Sequence, residues 1–139
     1  MIKLQKINHL SLPAEDLDRA RDFYTRVLGL SFQDRLGGHT EEQTGRRTPR
    51  LDVLRCPNGD EVVLFERPQA RYQEARAGVG LLHQAFDLDW DDYDEALTTA
   101  KELGTIDRVV ERPSGKDIYL SDSEGNYLQL HFAPPKGVG

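Results

Sequence analysis

One cysteine in 139 residues leaves no partner for an internal disulfide and fits a reducing compartment. That cysteine, Cys56, precedes Pro57-Asn58-Gly59 at a turn, with no histidine near it in sequence. It reads as an inert small residue rather than a nucleophile. No apolar run approaches the roughly 20 residues that span a bilayer, so no membrane segment is expected. The start, "MIKLQKINHLSLPAED", lacks the continuous apolar stretch of a signal peptide, and a cytoplasmic protein is expected. Positive charge is also scarce. Lys and Arg number 18 against 24 Asp and Glu, a net charge of −6, which speaks against nucleic acid as a partner because phosphate binding needs a basic face. The one dense basic cluster, Arg46, Arg47 and Arg50, is short, broken by Pro49, and read as loop.

What the chain does have is one unit written twice. "LQKINHLSLP", from Leu4, predicts a strand. "AEDLDRARDFYTRVLG" places Leu17, Ala20, Phe23, Tyr24, Val27 and Leu28 at helical spacing, with Glu15 or Asp16 at the N-terminus and Gly29 at the end. "LSFQDR" is a strand, residues 36–50 a loop, and "LDVLR" and "EVVLFE" a hairpin about a Pro-Asn-Gly turn. The order then repeats: strand "VGLLHQAFDLD", helix "WDDYDEALTTAKELG", strand "DRVVERP", and a hairpin of "DIYLSD" and "YLQLHF". "LRCPNGDEVVLFE" aligns on "LSDSEGNYLQLHF" without gaps. The predicted fold is α+β: two βαβββ modules, 4–66 and 79–133, of one domain spanning 1–139 and forming an open, cupped sheet. Residues 67–78 link the modules.

Strand alternation then sorts the polar residues by face. His9 and Ser11 lie opposite Leu10 and Leu12. His83 and Ala85 lie opposite Leu82, Phe86 and Leu88. Asp117 and Tyr119 oppose Ile118 and Leu120, and Gln129 and His131 oppose Leu128 and Leu130. If the apolar faces carry the helices, His9, His83, Tyr119 and Gln129 share the helix-free side. A lone strand histidine is ordinarily solvated. Two at equivalent positions of a repeat favour a site. His131, near a strand end, reads as a rim residue, and His39 as a loop residue in solvent.

Over roughly residues 4–133 these motifs resemble the vicinal oxygen chelate superfamily, which includes glyoxalase I, extradiol dioxygenases, fosfomycin-resistance enzymes and bleomycin-binding proteins. "INHLSLPAEDLDRARDFYTRVLGLSF" resembles its opening motif, through His9, Asp16, Phe23, Tyr24, Leu28 and Gly29. "IYLSDSEGNYLQLHF" resembles its closing hairpin, with Ser123 for a proline and Gln129 for a glutamate. The resemblance implies that His9, His83 and Gln129 occupy the positions of metal ligands. The cofactor would be a divalent metal (Fe, Mn, Ni or Zn), chelated by a small-molecule substrate through two oxygens. It further implies a homodimer, Tyr119 as a catalytic hydrogen-bonding residue or proton donor, and Ser11 and His131 beside it against substrate. Val63, the repeat partner of Gln129, is no acid, so the pattern favours the three-ligand members, such as the fosfomycin-resistance group. Yet the lysine and serine-rich loop of those enzymes are Val109, Pro113 and Asp117 here, and no specific activity follows.

Gln129 keeps alternatives open. Its neutral amide removes one negative charge from the ligand set, which weakens metal affinity. A metal-dependent lyase, isomerase, dioxygenase or transferase is one reading. A metal-free binding protein for a drug or metabolite is the second, with Phe65, Trp90 and Tyr127 as aromatic walls. A regulator or structural subunit with an unused site is the third. Trp90, at a helix start, also reads as ordinary packing. The loop 36–50 and the linker 67–78 are expected to close over the substrate.

Overall fold

Among the described residues, eight strands and two α-helices follow the order of the repeat. They are β1 (His9–Ala14), α1 (Leu17–Asp22), β2 (Ser31–Leu36), β3 (Leu51–Arg55) and β4 (Glu61–Glu66), then β5 (Gln84–Leu88), α2 (Tyr93–Leu103), β6 (Ile106–Arg112), β7 (Gly115–Ser121) and β8 (Tyr127–Phe132). The structure, a computed structural model, describes residues 1–67 and 82–136. The linker expected at 67–78 lies outside them from residue 68 on, as do positions 79–81 of the fifth predicted strand. The chain divides into two compact units, Met1–Arg71 and Tyr72–Gly139. Each holds an open four-stranded mixed sheet, ordered β1-β4-β3-β2 in the first and β5-β8-β7-β6 in the second. In both, the first strand is an edge strand running parallel to the last.

The first strand begins at His9 rather than Leu4. Its partner β4 pairs residue for residue from His9↔Glu61 to Ala14↔Glu66, so residues 4–8 have no ladder to join. Asp16, rather than Glu15, caps α1, accepting from the Arg19 amide at 3.1 Å. Past Asp22 the helix widens into a π-helical turn, Phe23–Val27. That turn keeps Phe23 and Tyr24 both buried and packed edge-on at 5.4 Å. In the second unit, Asp89 accepts from the Asp91 amide at 2.9 Å and caps a 3-10 turn, Trp90–Asp92, that leads into α2. Gly104, at φ +72°, ends α2 in the left-handed conformation open to glycine.

Alternation decides the cores. Leu12, Ala14, Leu54, Val62 and Leu64 bury with Leu17 and Ala20 of α1 in the first unit. Ile118, Leu120, Leu128, Leu130 and Phe132 bury with Tyr93 and Ala100 of α2 in the second. Each buried Leu or Ile contributes roughly 2 kcal/mol. One buried charge breaks the apolar side of the first sheet. Asp52 is fully buried and receives the Arg35 guanidinium through two bonds of 2.6 and 3.0 Å.

Candidate functional site

In the second unit, the face away from the apolar core is not left to water. Tyr119 and Asp117 are buried like their apolar neighbours. The register of the β7–β8 hairpin places Tyr119 opposite Gln129 and Asp117 opposite His131. His83 stands immediately before β5, whose Ala85 pairs with Gln129, so it joins the same face. A slip in the β6–β7 register between Ile106 and Arg108 brings Arg108 opposite Tyr119. Such bulges re-aim side chains, and here the Arg108 guanidinium lies 4.6 Å from the Tyr119 ring centre.

Five side chains form a continuous polar chain. The Gln129 amide nitrogen donates to Asp117 Oδ1 at 2.7 Å. His131 Nδ1 donates to the same oxygen at 2.6 Å. Arg112 donates to Asp117 Oδ2 at 3.0 Å. A carboxylate only accepts, so it orients the amide with its nitrogen inward and its oxygen outward. That oxygen stands 3.0 Å from His83 Nε2, which therefore carries the donated proton. Burial pushes the Asp117 carboxyl upward, but the hydrogen bonds from Gln129 and His131 and the charges of His131 and Arg112 outweigh it. The net shift is downward, and Asp117 stays ionised.

Aromatic rings enclose His83. Its ring centre lies 6.2 Å from those of Tyr119 and Tyr127, which are 5.9 Å from each other. The Tyr127 hydroxyl donates to Asp107. Burial, followed by that hydrogen bond and the Asp107 charge, pushes the phenol up to about 12. Gly115, at φ +153°, leaves the floor bare. A Cβ there would meet the Phe132 carbonyl oxygen at 2.7 Å and His131 Cε1 at 2.9 Å, so only glycine lets the His131 ring lie this close to β7.

The structure thus joins His83, Tyr119, Gln129 and His131, with Tyr127 beside them. His131 keeps its side chain 32% exposed, as a rim residue would, while Asp117 holds its Nδ1 at 2.6 Å. Trp90 belongs elsewhere: its ring lies 5.0 Å from Lys116 Nζ, which also covers Tyr93 at 4.4 Å. Lys116 alternates with Asp117 along β7, so Trp90 packs on the α2 side of the sheet, where it cannot wall this site. His9 lies in the first unit, exposed, with Nδ1 2.7 Å from the Asn8 side-chain oxygen. Ser11 and Phe65 share the His9 face there, through the pairs Ser11↔Val63 and Pro13↔Phe65. Glu66 is engaged by Arg50 at 2.6 and 3.0 Å, which occupies both that acid and one member of the basic cluster. The Cys56 thiol is raised by burial and by Asp60, as fits an unreactive residue. The residues that sequence reasoning passed over are Asp117, Arg108, Arg112 and Asp107. Asp117 was within reach, since folding the hairpin about Glu124-Gly125 sets it against His131.

Among the described residues no three His, Cys, Asp or Glu side chains converge as a ready metal cage. His83 Nε2 and Gln129 Oε1 could hold a divalent ion once the ion displaces the proton that Nε2 donates to the amide oxygen. In octahedral coordination two adjacent donors about 2.1 Å from one ion stand about 3 Å apart. The separation of His83 Nε2 and Gln129 Oε1 is 3.0 Å. The pair is one imidazole and one amide oxygen, with the Asp117 carboxylate one hydrogen bond behind the amide.

Comparison with known proteins extends this local picture. The sequence profile of the Glyoxalase/Bleomycin resistance protein/Dioxygenase superfamily matches residues 6–130. The protein "Glutathione transferase FosA" of Serratia marcescens is 26% identical over 128 residues, covering 92% of this chain and 81% of that one. Among solved structures, a glyoxylase/bleomycin resistance protein/dioxygenase domain from Frankia sp. EAN1pec superposes with a TM-score of 0.73 at 22% identity, over 96% of both chains. The fosfomycin resistance protein FosX of Listeria monocytogenes, solved with Mn(II) and sulfate, superposes with a TM-score of 0.71 at 20% identity, over 95% of both. No helix among the described residues is long and apolar enough to cross a membrane.

Proposed function

The chain belongs to the Glyoxalase/Bleomycin resistance protein/Dioxygenase superfamily, and from that premise we propose that it is a divalent-metal-dependent enzyme. Its substrate would be a small oxygenated metabolite or antibiotic that chelates the metal through two oxygens. One observation carries the reading: His83 Nε2 and Gln129 Oε1 converge at 3.0 Å, inside an aromatic enclosure and backed by a buried carboxylate. His83 and Gln129 hold the ion. His9 enters through the sequence pattern. When bound, the ion supplies Lewis acidity to the substrate oxygens it holds.

The chain's own residues do the rest. Tyr119 offers its hydroxyl to the substrate as hydrogen-bond or proton donor. Arg108, stacked on its ring, favours a developing negative charge there. Tyr127 holds its proton through the neutral range, so it is a donor and not a base. Ser11 and His131 complete the substrate contacts in this reading. Likeness to FosA and to a FosX solved with Mn(II) makes Mn(II) the metal to test first and a phosphonate antibiotic the first substrate. The reading also takes the two units as modules of one domain and the protein as cytoplasmic. It takes the working form as a homodimer, to which the exposed Ile2, Leu4 and Ile7 ahead of β1 lend apolar surface.

Titrating metal-stripped protein with Mn(II), followed by the loss of the free-ion paramagnetic resonance signal, tests the proposal. One Mn(II) per chain is expected, with binding weakened at least tenfold in His83→Ala and His9→Ala. Failure of the wild type to bind after reconstitution would sink the enzyme reading. The alternative is then a metal-free small-molecule binding protein. It is favoured by the closed His83–Gln129 hydrogen bond and the three contiguous rings.

A further inference from the structure

Gln129 is a weak ligand if taken alone, since a neutral amide brings no charge to the ion. An amide can also turn over and present nitrogen instead of oxygen, and the nitrogen is no donor to a metal. Both shortcomings are met by the same neighbour. Asp117 is fully buried, takes the amide nitrogen at 2.7 Å, and so fixes the oxygen toward His83. It is itself held from two further sides, by His131 at 2.6 Å and Arg112 at 3.0 Å. The pairing Asp117↔His131 and the bare Gly115 beneath that ring set the carboxylate's place by backbone register.

We propose that Asp117 is the positioning residue of the metal centre, holding Gln129 oxygen-first and supplying from behind the negative charge that the amide lacks. Asp117 and Gln129 together then stand in for one ligating carboxylate, with the charge set one hydrogen bond back. Outer partners of this kind orient ligands and raise their donor strength. The inference rests on the metal-dependent reading and deepens it. It also changes what a carboxylate at 129 would do. Glu at that position would meet Asp117 at hydrogen-bond distance with no proton donor between them, and like charges so placed repel. Gln129 is thus the residue that an acid at 117 requires.

A double-mutant cycle on the full chain, read as Mn(II) affinity by calorimetry, tests this. In the wild-type background Asp117→Asn is expected to weaken binding about tenfold. Gln129→Glu alone is expected to change affinity less than threefold. With both substitutions, affinity should exceed that of the wild type, so that Asp117→Asn reverses sign once Glu is present. A purely structural role for Asp117 would weaken binding in both backgrounds. Equal affinity of Asp117→Asn and wild type, or a tenfold gain from Gln129→Glu alone, would overturn the inference while leaving the metal reading intact. No Mn(II) binding by the wild type would overturn both. If Asp117→Asn does not fold, the Gln129→Glu arm decides.

Discussion

Tyr127 donates its hydroxyl to Asp107, and its proton is held to about pH 12 by burial, that hydrogen bond and the Asp107 charge. An unfolded tyrosine ionises near 10. Between those values the folded chain binds a proton that the unfolded chain has released, so this residue's contribution to stability falls as pH rises from about 10 to 12. Absorbance titration at 295 nm should show late ionisation of Tyr127, beside Tyr93, which burial also raises, and only the Tyr127 step should move earlier in Asp107→Asn. An unchanged titration in that variant would remove Asp107 as a cause. The same scale shows why a sequence reading went only part of the way. Gln129 was legible as an amide in a carboxylate's place. Asp117 was placed on the face of Tyr119 and read as a departure from the serine-rich loop, but not as a site residue, because its meaning lies in the three donors that surround it.

The β7–β8 hairpin is the element on which the site depends, and the Asp122 side chain braces its turn. Asp122 Oδ1 accepts the amides of Glu124 and Asn126 at 2.8 Å, and Oδ2 accepts the Asn126 side chain at 2.8 Å. Asp122 is buried, so losing these bonds is costly. Asp122→Ala should destabilise the protein by about 3 kcal/mol, read from the urea midpoint. A shift of under about 1 kcal/mol would show the turn to be held otherwise. The hairpin's existence was plain from "SDSEGN" between two alternating runs. The β6 bulge that aims Arg108 at Tyr119 was not, since a one-residue slip leaves no mark on alternation until the strands are paired.

At the scale of the whole molecule, the homodimer predicts sedimentation at twice the 15.8 kDa chain mass at micromolar concentration, and a 15.8 kDa species would refute it. Ile2→Lys and Leu4→Lys should shift the equilibrium toward monomer. Two repeats of strand, helix and three strands followed from the sequence alone, because the period of apolar residues is a local property that each segment carries in its own residues. The helix ends at Gly29 and Gly104 were equally local. Tertiary structure alone decided which polar side chains meet. That Leu4 to Asn8 stay outside the sheet depends on where β4 begins, at Glu61 opposite His9. What Gln129 can offer a metal depends on a carboxylate twelve residues away that folding presses against its amide. Backbone periodicity is written along the chain, whereas an amide's orientation is set by charges that only the fold brings within hydrogen-bonding distance.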